Sequence, residues 1–262
     1  GNGGFKIIGG HTDSPNLRIK PHSKRSGSHA ACTQLDVETY GGGLWHTWFD
    51  RDLSIAGRVL VREGEKIVQK LVKVDRPICR IPSLCIHLQT GEERAAFKFN
   101  KEDHLQPILA AEVKSALTGE KRDGEGSAAD QWMDGHEPLL MKIVAGELGI
   151  EVKDIADFEL MLYDTQDACL GGANEEFLYS ARLDNQATCF VATKALAEID
   201  LERLKGEVDV SMICMFDHEE VGSASQCGAG SPVMGEAVRR IVSSMNGGNA
   251  NEDMLQVRER VM

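Results

Sequence analysis

The chain has 262 residues, of which 42% are hydrophobic, and this is enough for one large domain or two smaller ones with buried cores. Its formal net charge of −12 argues against nucleic acid or an anionic membrane as the main partner, and no signal peptide or membrane-spanning stretch is visible. The seven cysteines form no Cys-x-x-Cys pair, so they give no thiolate zinc site and favour a reducing, cytoplasmic setting.

The first predicted element is a short buried strand over residues 5–10, which closes with a glycine pair. His11 and Asp13 follow directly, and at a two-residue spacing their side chains would project from the same face of an extended chain. A basic cluster comes next, and we favour a solvated loop over a patch that attracts acidic ligands. The cluster comprises Arg18, Lys20, Lys24 and Arg25.

The middle of the chain is rich in short apolar runs separated by Gly and Pro residues. We predict extended segments over 37–40, 53–62, 66–74, 78–81 and 83–89. The second and third segments form a hairpin in this interpretation, because a Glu-Gly turn lies between them. Helical periodicity predicts helices over 107–117 and 139–148, with a charged loop over 121–130 between them.

The last hundred residues alternate strands with helices. In order, we predict a buried strand over 158–163, an extended run over 177–183, a helix over 185–198, a strand over 208–216 and a helix over 231–244. Such alternation is typical of a layered α/β domain. The expected fold is therefore a three-layer α/β domain of residues 1–16 and 158–262, interrupted by a β-rich inserted domain over 17–157.

Three separated element ends carry residues that bind metal ions. His11 follows the first strand, Asp184 opens a helix, and Glu219 with Glu220 follows the last strand. Each has an ordinary alternative, namely a hydrogen-bonded histidine, a helix N-cap and a pair of surface carboxylates. Together, buried acids at convergent ends are costly unless a cation compensates them, and imidazole with carboxylate is a typical zinc set. Because neighbouring side chains diverge, one glutamate would be the ligand and the other the base.

Seven motifs occur along the chain in one order: HTDSP (11–15), VETYGGG (37–43), WFDRD (48–52), AGRV (56–59), DTQ (164–166), RLDN (182–185) and EEVGS (219–223). Together they resemble the aspartyl aminopeptidases, the M18 family of metallopeptidases that use two zinc ions. The resemblance runs from residue 5 to about residue 240, nearly the whole chain. Any one motif could arise by chance, whereas seven in order hardly could.

The resemblance implies a role for each candidate site residue. His11 matches a ligand of one metal, Asp184 the carboxylate that bridges both metals, and Glu220 a ligand of the other. Glu219 matches the general base, and Asp13 matches the acid that orients the His11 imidazole. The implied cofactor is a pair of Zn²⁺ ions per subunit in the full-length protein, although such ligands also accept Mn²⁺ or Co²⁺.

The resemblance also implies an assembly and a substrate. His87 matches a histidine that reaches into the active site of a neighbouring subunit, which makes the inserted domain a dimerisation domain. Considered by itself, His87 is a polar residue in an apolar strand, with a structural role. The family builds homo-oligomers from dimers, with a dodecamer expected, and removes N-terminal Asp or Glu from peptides.

The chain departs from the family pattern in two respects. A further Asp ligand and a further His ligand should follow the second-glutamate motif, and neither has a convincing match before Met262, since Asp253 lacks the family's surrounding residues. The chain also begins without Met and stops in a helix-like segment, so we interpret it as a fragment that would be inactive by itself.

Two other classes of function stay open. The first is a non-catalytic assembly or cargo-binding homologue, although such a protein has no physical need for a base beside a metal ligand, as Glu219 and Glu220 would be. The second is a neighbouring metallohydrolase, such as another aminopeptidase or a deacylase. The long insert with the WFDRD motif and His87 argues against this second class.

Overall fold

The computed structural model describes residues 3–24, 32–111 and 132–245 of the chain. They divide into two compact units. The terminal unit ends at Pro15 and resumes at Leu170, and the central unit is Asn16–Cys169. The charged loop predicted over 121–130 and the weak ligand candidate Asp253 both lie outside the described residues.

The described elements mix strands and helices, which confirms the α/β class. The strands are β1 (Phe5–His11), β2 (Asn16–Lys24), β3 (Cys32–Tyr40), β4 (Leu53–Glu63), β5 (Lys66–Lys73), β6 (Ile108–Ala111), β7 (Ile155–Asp164), β8 (Cys169–Gly171), β9 (Phe177–Tyr179) and β10 (Val210–Phe216). The helices that we number are α1 (Gly91–Ala95), α2 (Pro138–Leu148), α3 (Leu183–Ala197), α4 (Leu201–Leu204) and α5 (Val233–Met245). Among the described residues, no helix combines the length and apolar character needed to cross a bilayer.

The central unit is built on one antiparallel sheet of six strands, in the order β5-β4-β7-β2-β3-β6. The predicted hairpin is confirmed: β4 and β5 pair from Ala56↔Lys73 to Glu63↔Lys66, and Gly64 turns the chain with a φ of 63°. Fully buried side chains fill one core beneath the sheet, and they include Leu17, Leu35, Leu53, Ile55, Leu160 and Leu162.

Helix α2 packs into the same core. Pro138 occupies its first turn, the Glu137 side chain accepts a hydrogen bond from the N–H of Leu139 at 3.4 Å, and Gly149 ends the helix in the left-handed conformation. Leu140 and Val144, four residues apart, are fully buried, and each such burial contributes about 2 kcal/mol. The helix predicted over 139–148 is therefore confirmed.

Strand β7 lies in the central sheet and not in the α/β domain to which we assigned its apolar run. It pairs with β4, for example at Ile55↔Leu162, and with β2 at Arg18↔Met161. The boundary between the compact units therefore follows β7 instead of preceding residue 158. An apolar run predicts a buried strand but does not indicate which sheet will accept it.

Two other predictions of local structure are wrong. The segment over 107–117 begins as β6, paired with β3, and its part beyond residue 111 is not described. The run over 83–89 contains a 3₁₀ turn, Ile86–Leu88, instead of a strand.

The basic cluster, too, forms strand β2 instead of a solvated loop, while Arg25 lies outside the described residues. Leu17 and Ile19 are buried on one face of β2, and Arg18 and Lys20 form ion pairs on the other. Those pairs reach the carboxylates of Glu38, Glu159, Asp36 and Glu102. The missed signal was the alternation of apolar and basic residues, which has the period of a half-buried strand.

The terminal unit is organised around two parallel strands. β1 and β10 pair from Phe5↔Val210 to His11↔Phe216, and α3 contacts both. Because parallel strands run in the same direction, the residues that follow His11 and Phe216 emerge side by side at one edge. The three-layer arrangement and the dimerisation role of the central unit stay predictions.

Candidate metal centre

The candidate site lies at the shared carboxyl edge of β1 and β10. Pairing continues for one residue beyond the strands, because the N–H of Thr12 donates to the carbonyl of Phe216 at 2.9 Å. The segment after β1 carries Asp13, and the segment after β10 carries Glu219 and Glu220. The strand register therefore brings together two motifs that are more than 200 residues apart in sequence.

Asp13 joins the two segments. Its Oδ1 lies 3.2 Å from Nδ1 of His11, and its backbone oxygen lies 3.0 Å from the same nitrogen. Its two carboxylate oxygens also accept hydrogen bonds from the backbone N–H groups of Glu219 at 3.2 Å and Glu220 at 3.1 Å. Only 8% of the Asp13 side chain is exposed. One buried carboxylate therefore orients the imidazole and fixes the turn that carries both glutamates.

This contact determines which ring nitrogen of His11 faces the site. The Asp13 backbone oxygen can only accept, so Nδ1 carries the hydrogen and Nε2 has the lone pair. Nε2 lies 3.2 Å from Oδ1 of Asp184 and 3.7 Å from Oε2 of Glu219. Partial burial opposes protonation, but the Asp13 contacts and the charge of Glu219 outweigh it and raise the pKa of His11.

Asp184 lies at a break in α3: its backbone is extended (φ −85°, ψ 112°), Asn185 is also non-helical, and Arg182 before them is left-handed. The peptide bond between Asp184 and Asn185 is cis. The Ser14 hydroxyl donates to the Asp184 carbonyl at 3.2 Å. The Asp184 carboxylate itself is 85% exposed and meets His11 on one side.

Glu219 and Glu220 occupy a 3₁₀ turn, Glu219–Val221, directly after His218 in the left-handed conformation. Burial raises the pKa of the Glu220 carboxyl, and the charges of Glu219, Asp13 and Asp184 raise it further. One carboxylate is thus held among three others, with the single imidazole of His11 opposing them.

The donor set fits a divalent cation. His11, Glu219 and Glu220 each offer a ligand atom, and these atoms lie within 4.8 Å of one another. The crowded carboxylates that raise the pKa of Glu220 are the groups that a cation would neutralise. Imidazole nitrogen with carboxylate oxygen is the ligand set that zinc accepts, and Mn²⁺ and Co²⁺ accept it as well.

Sequence reasoning missed three residues that support His11. Asn185 Oδ1 accepts from the His11 backbone N–H at 3.1 Å, and the Cys189 thiol donates to the His11 carbonyl at 3.0 Å. A Cβ on Gly10 would lie 2.8 Å from Asn185 Oδ1, so a larger residue there would displace the side chain that holds the His11 backbone. The glycine pair before His11 was the available signal for this close approach.

His87 lies in the central unit, within the 3₁₀ turn Ile86–Leu88. The turn is exposed: Ile86 retains 60% and Leu88 71% of its accessible surface. His87 is therefore not a polar residue inside an apolar strand. Its expected contact with a neighbouring subunit stays a prediction.

Comparison with known proteins decides the family. A model of the family described as aminopeptidase I zinc metalloprotease (M18) matches residues 1–261. The chain belongs to the M18 family. The aspartyl aminopeptidase of Aspergillus oryzae is 46% identical over 275 residues, and the probable aspartyl aminopeptidase of Ricinus communis is 43% identical over 262. These matches cover 98% and 93% of this chain.

Solved structures of M18 proteins share the fold. The structure of Chaetomium thermophilum mApe1 gives a TM-score of 0.83 at 30% identity and covers 97% of this chain and 56% of that one. The mApe1 dodecamer of Saccharomyces cerevisiae gives a TM-score of 0.70 at 28% identity, with 91% and 49% covered. The chain spans about half the length of the M18 relatives that it matches, 54% and 53% for the two named above.

Proposed function

We propose that the whole protein is a zinc-dependent aminopeptidase that hydrolyses the first peptide bond of peptides with N-terminal Asp or Glu. The observation that carries the proposal is the Asp13 carboxylate, which binds the His11 imidazole and the backbone of Glu219 and Glu220 together. Family membership and the names of the relatives support the choice of reaction and substrate.

In this proposal His11, Asp184 and Glu220 hold the metal. His11 presents Nε2, which lies 3.2 Å from Oδ1 of Asp184, so a metal ion would be within reach of both atoms. Glu220 is the more desolvated glutamate, which suits a carboxylate neutralised by a cation. Bound zinc supplies the Lewis acid and lowers the pKa of the water that attacks the peptide.

Glu219 is the proposed base. Its side chain is 51% exposed, so substrate and water can reach it, while its N–H is fixed by Asp13. It takes a proton from the attacking water and delivers it to the leaving amine, a role that contributes about 10²–10⁴-fold in rate. The held backbone keeps the carboxylate in place during both transfers.

The oligomeric state of the whole protein is also a proposal. We infer a homo-oligomer built from dimers, in which the central unit is the dimerisation domain and His87 enters the partner's site. The dodecamer of the Saccharomyces cerevisiae relative and the exposed turn at His87 support it. A cytoplasmic location is proposed from the cysteine pattern.

The test compares aminoacyl substrates after zinc loading of the whole protein. Hydrolysis of Asp and Glu substrates with kcat/KM at least tenfold above Leu and Lys substrates is the expected result. Bound zinc without hydrolysis of any of them would favour the assembly or cargo-binding alternative. Preference for an acyl-amino substrate would favour a deacylase.

A further inference from the structure

A second cluster of metal-binding side chains lies on the loop that follows β10, and the proposed peptidase does not use it. Asp217, His218 and Cys227 each offer one ligand atom, and these atoms lie within 4.8 Å of one another. We propose that Asp217, His218 and Cys227 form a binding site for a divalent cation of the zinc class, separate from the ligands around His11.

The distances match those that one ion would impose. Cys227 Sγ lies 3.4 Å from Nδ1 of His218. A zinc ion bound to sulfur at about 2.3 Å and to nitrogen at about 2.0–2.1 Å holds these two atoms about 3.6 Å apart in tetrahedral geometry. Little movement is therefore needed to bind both atoms to one cation. Asp217 also offers a ligand atom within 4.8 Å of the others, but its Oδ2 faces Nε2 at 3.7 Å, so its side chain would have to rotate to reach an ion bound at Nδ1.

The loop brings the three residues together before any ion binds. The N–H of Asp217 donates to the carbonyl of Cys227 at 3.1 Å and closes the loop at its two ends. The N–H of Ser223 donates to the His218 carbonyl at 2.8 Å. A Cβ at Gly228 would lie 2.2 Å from the Ser223 oxygen, so glycine is required where the loop turns back. The backbone therefore fixes a ligand set that is ten residues apart in sequence.

The hydroxyl of Ser225 already links two of the ligands. Its oxygen lies 2.7 Å from Nδ1 of His218 and 3.6 Å from Cys227 Sγ. A cation bound at Nδ1 would replace this hydrogen bond. Cys227 would bind as the thiolate and release its proton to solvent, so binding should weaken as the pH falls.

The chemistry of the donors selects the ion. Thiolate and imidazole favour zinc and other thiophilic divalent ions over Mg²⁺ or Ca²⁺, which prefer oxygen. The side chains of Asp217 and His218 are 50% and 37% exposed, so an ion can reach them from solvent. With three protein ligands the fourth position is left to water, as in other open zinc sites.

Cobalt distinguishes this site from the proposed catalytic one. A Co²⁺–thiolate bond gives a charge-transfer absorption in the near ultraviolet, and the ligands proposed at the catalytic site contain no sulfur. Titration of the metal-free whole protein with Co²⁺ should therefore produce this band with one equivalent bound at the loop. The band is read without substrate, so it does not depend on peptidase activity.

Three variants complete the experiment. Cys227→Ser should abolish the band, whereas Cys189→Ala, which removes the thiol beside His11, should retain it. His218→Asn should weaken Co²⁺ binding at the loop at least about tenfold, and asparagine tolerates the left-handed backbone there, so the fold is kept. No band in the unmodified protein, or a band that survives Cys227→Ser or disappears in Cys189→Ala, would overturn the proposal.

Discussion

Asp13 accepts a hydrogen bond from the backbone N–H of Glu220 at 3.1 Å, while its other carboxylate oxygen lies 3.2 Å from Nδ1 of His11. The site therefore depends on a residue that need not touch a metal or a substrate. Conversion of Asp13 to Asn would leave one amide NH₂ facing groups that are themselves donors. The contribution of Asp13 to the site can therefore be tested without changing any proposed metal ligand.

We expect Asp13→Asn to weaken zinc binding about 10–100-fold, because residues that orient a metal-bound histidine contribute that much. Competition with a chelator of known zinc affinity measures the change. Asp209→Asn is the matched control, since Asp209 also accepts from a backbone N–H, that of Gly4 at 2.8 Å, but at the opposite end of β1 and β10. Equal effects of the two changes would contradict the role given to Asp13.

Gly10→Ala should disturb His11 without altering any candidate ligand. The added methyl group would lie 2.8 Å from Asn185 Oδ1, which holds the His11 backbone. We expect a loss of about 1–3 kcal/mol in unfolding free energy and faster hydrogen exchange in β1, measured by peptide-resolved mass spectrometry. In the same unit, Gly235→Ala places a methyl group in open space on α5 and should be neutral or stabilising. Unchanged hydrogen exchange of β1 in Gly10→Ala would show that the close approach of residue 10 to Asn185 does not determine the stability of this strand.

Stability of the central unit should fall in mild acid because of His136. Burial lowers the pKa of His136, the charge of His22 lowers it further and Asp157 opposes them, which together bring the pKa to about 4. Between about pH 6.5 and 4, His136 binds a proton only in the unfolded chain. Its contribution to the free energy of unfolding is therefore complete above pH 6.5 and is lost as the pH falls. The loss approaches about 3 kcal/mol at pH 4.

Tryptophan fluorescence can follow this effect, because Trp45, Trp48 and Trp132 all lie in the central unit. Urea unfolding of the protein and of His136→Leu should be compared from pH 4 to 7. The variant should show a smaller decrease in stability over this range. Identical pH dependence would assign the acid sensitivity to other groups.

The predicted sharing of His87 between subunits can be tested by mixing two inactive proteins. His87→Phe should lower turnover and leave the zinc content unchanged, because it removes the side chain supplied to the partner's site. Glu219→Gln should have the same two effects, because it removes the proposed base. In mixed oligomers, some sites would combine an intact Glu219 with an intact His87 from the partner subunit, and part of the activity should return. No recovery after confirmed subunit exchange would contradict a shared site.

The fold was predictable where a local pattern carried the information. The run before His11, the hairpin of β4 and β5, and helix α2 each follow from periodicity and turn residues within about twenty positions. The assignment of β7 failed because strand pairing is non-local: Ile55 and Leu162 meet across more than one hundred residues. β6 was predicted as a helix because its backbone conformation is set by pairing with β3, which overrides propensity.

The sequence likewise predicted some residues of the candidate site and missed others. His11, Asp184, Glu219 and Glu220 were identified because they stand at the ends of predicted strands and helices, and the match of their motifs to a family gave each a role. Support from Asn185 and Cys189 was missed, because neither residue has a sequence spacing that links it to His11. Cys227 was set aside for lack of a Cys-x-x-Cys pair, and only the closed loop after β10 brings it to His218.

The most direct test of the account compares Glu219→Gln with Glu220→Gln in the whole protein, measuring bound zinc and kcat on an Asp substrate. The structure supports Glu219 as the accessible base and Glu220 as the desolvated ligand. Glu219→Gln should keep its zinc and lose about 10²–10⁴-fold in kcat, whereas Glu220→Gln should lose zinc. Full turnover in Glu219→Gln, or loss of zinc from Glu219→Gln with retention in Glu220→Gln, would contradict it.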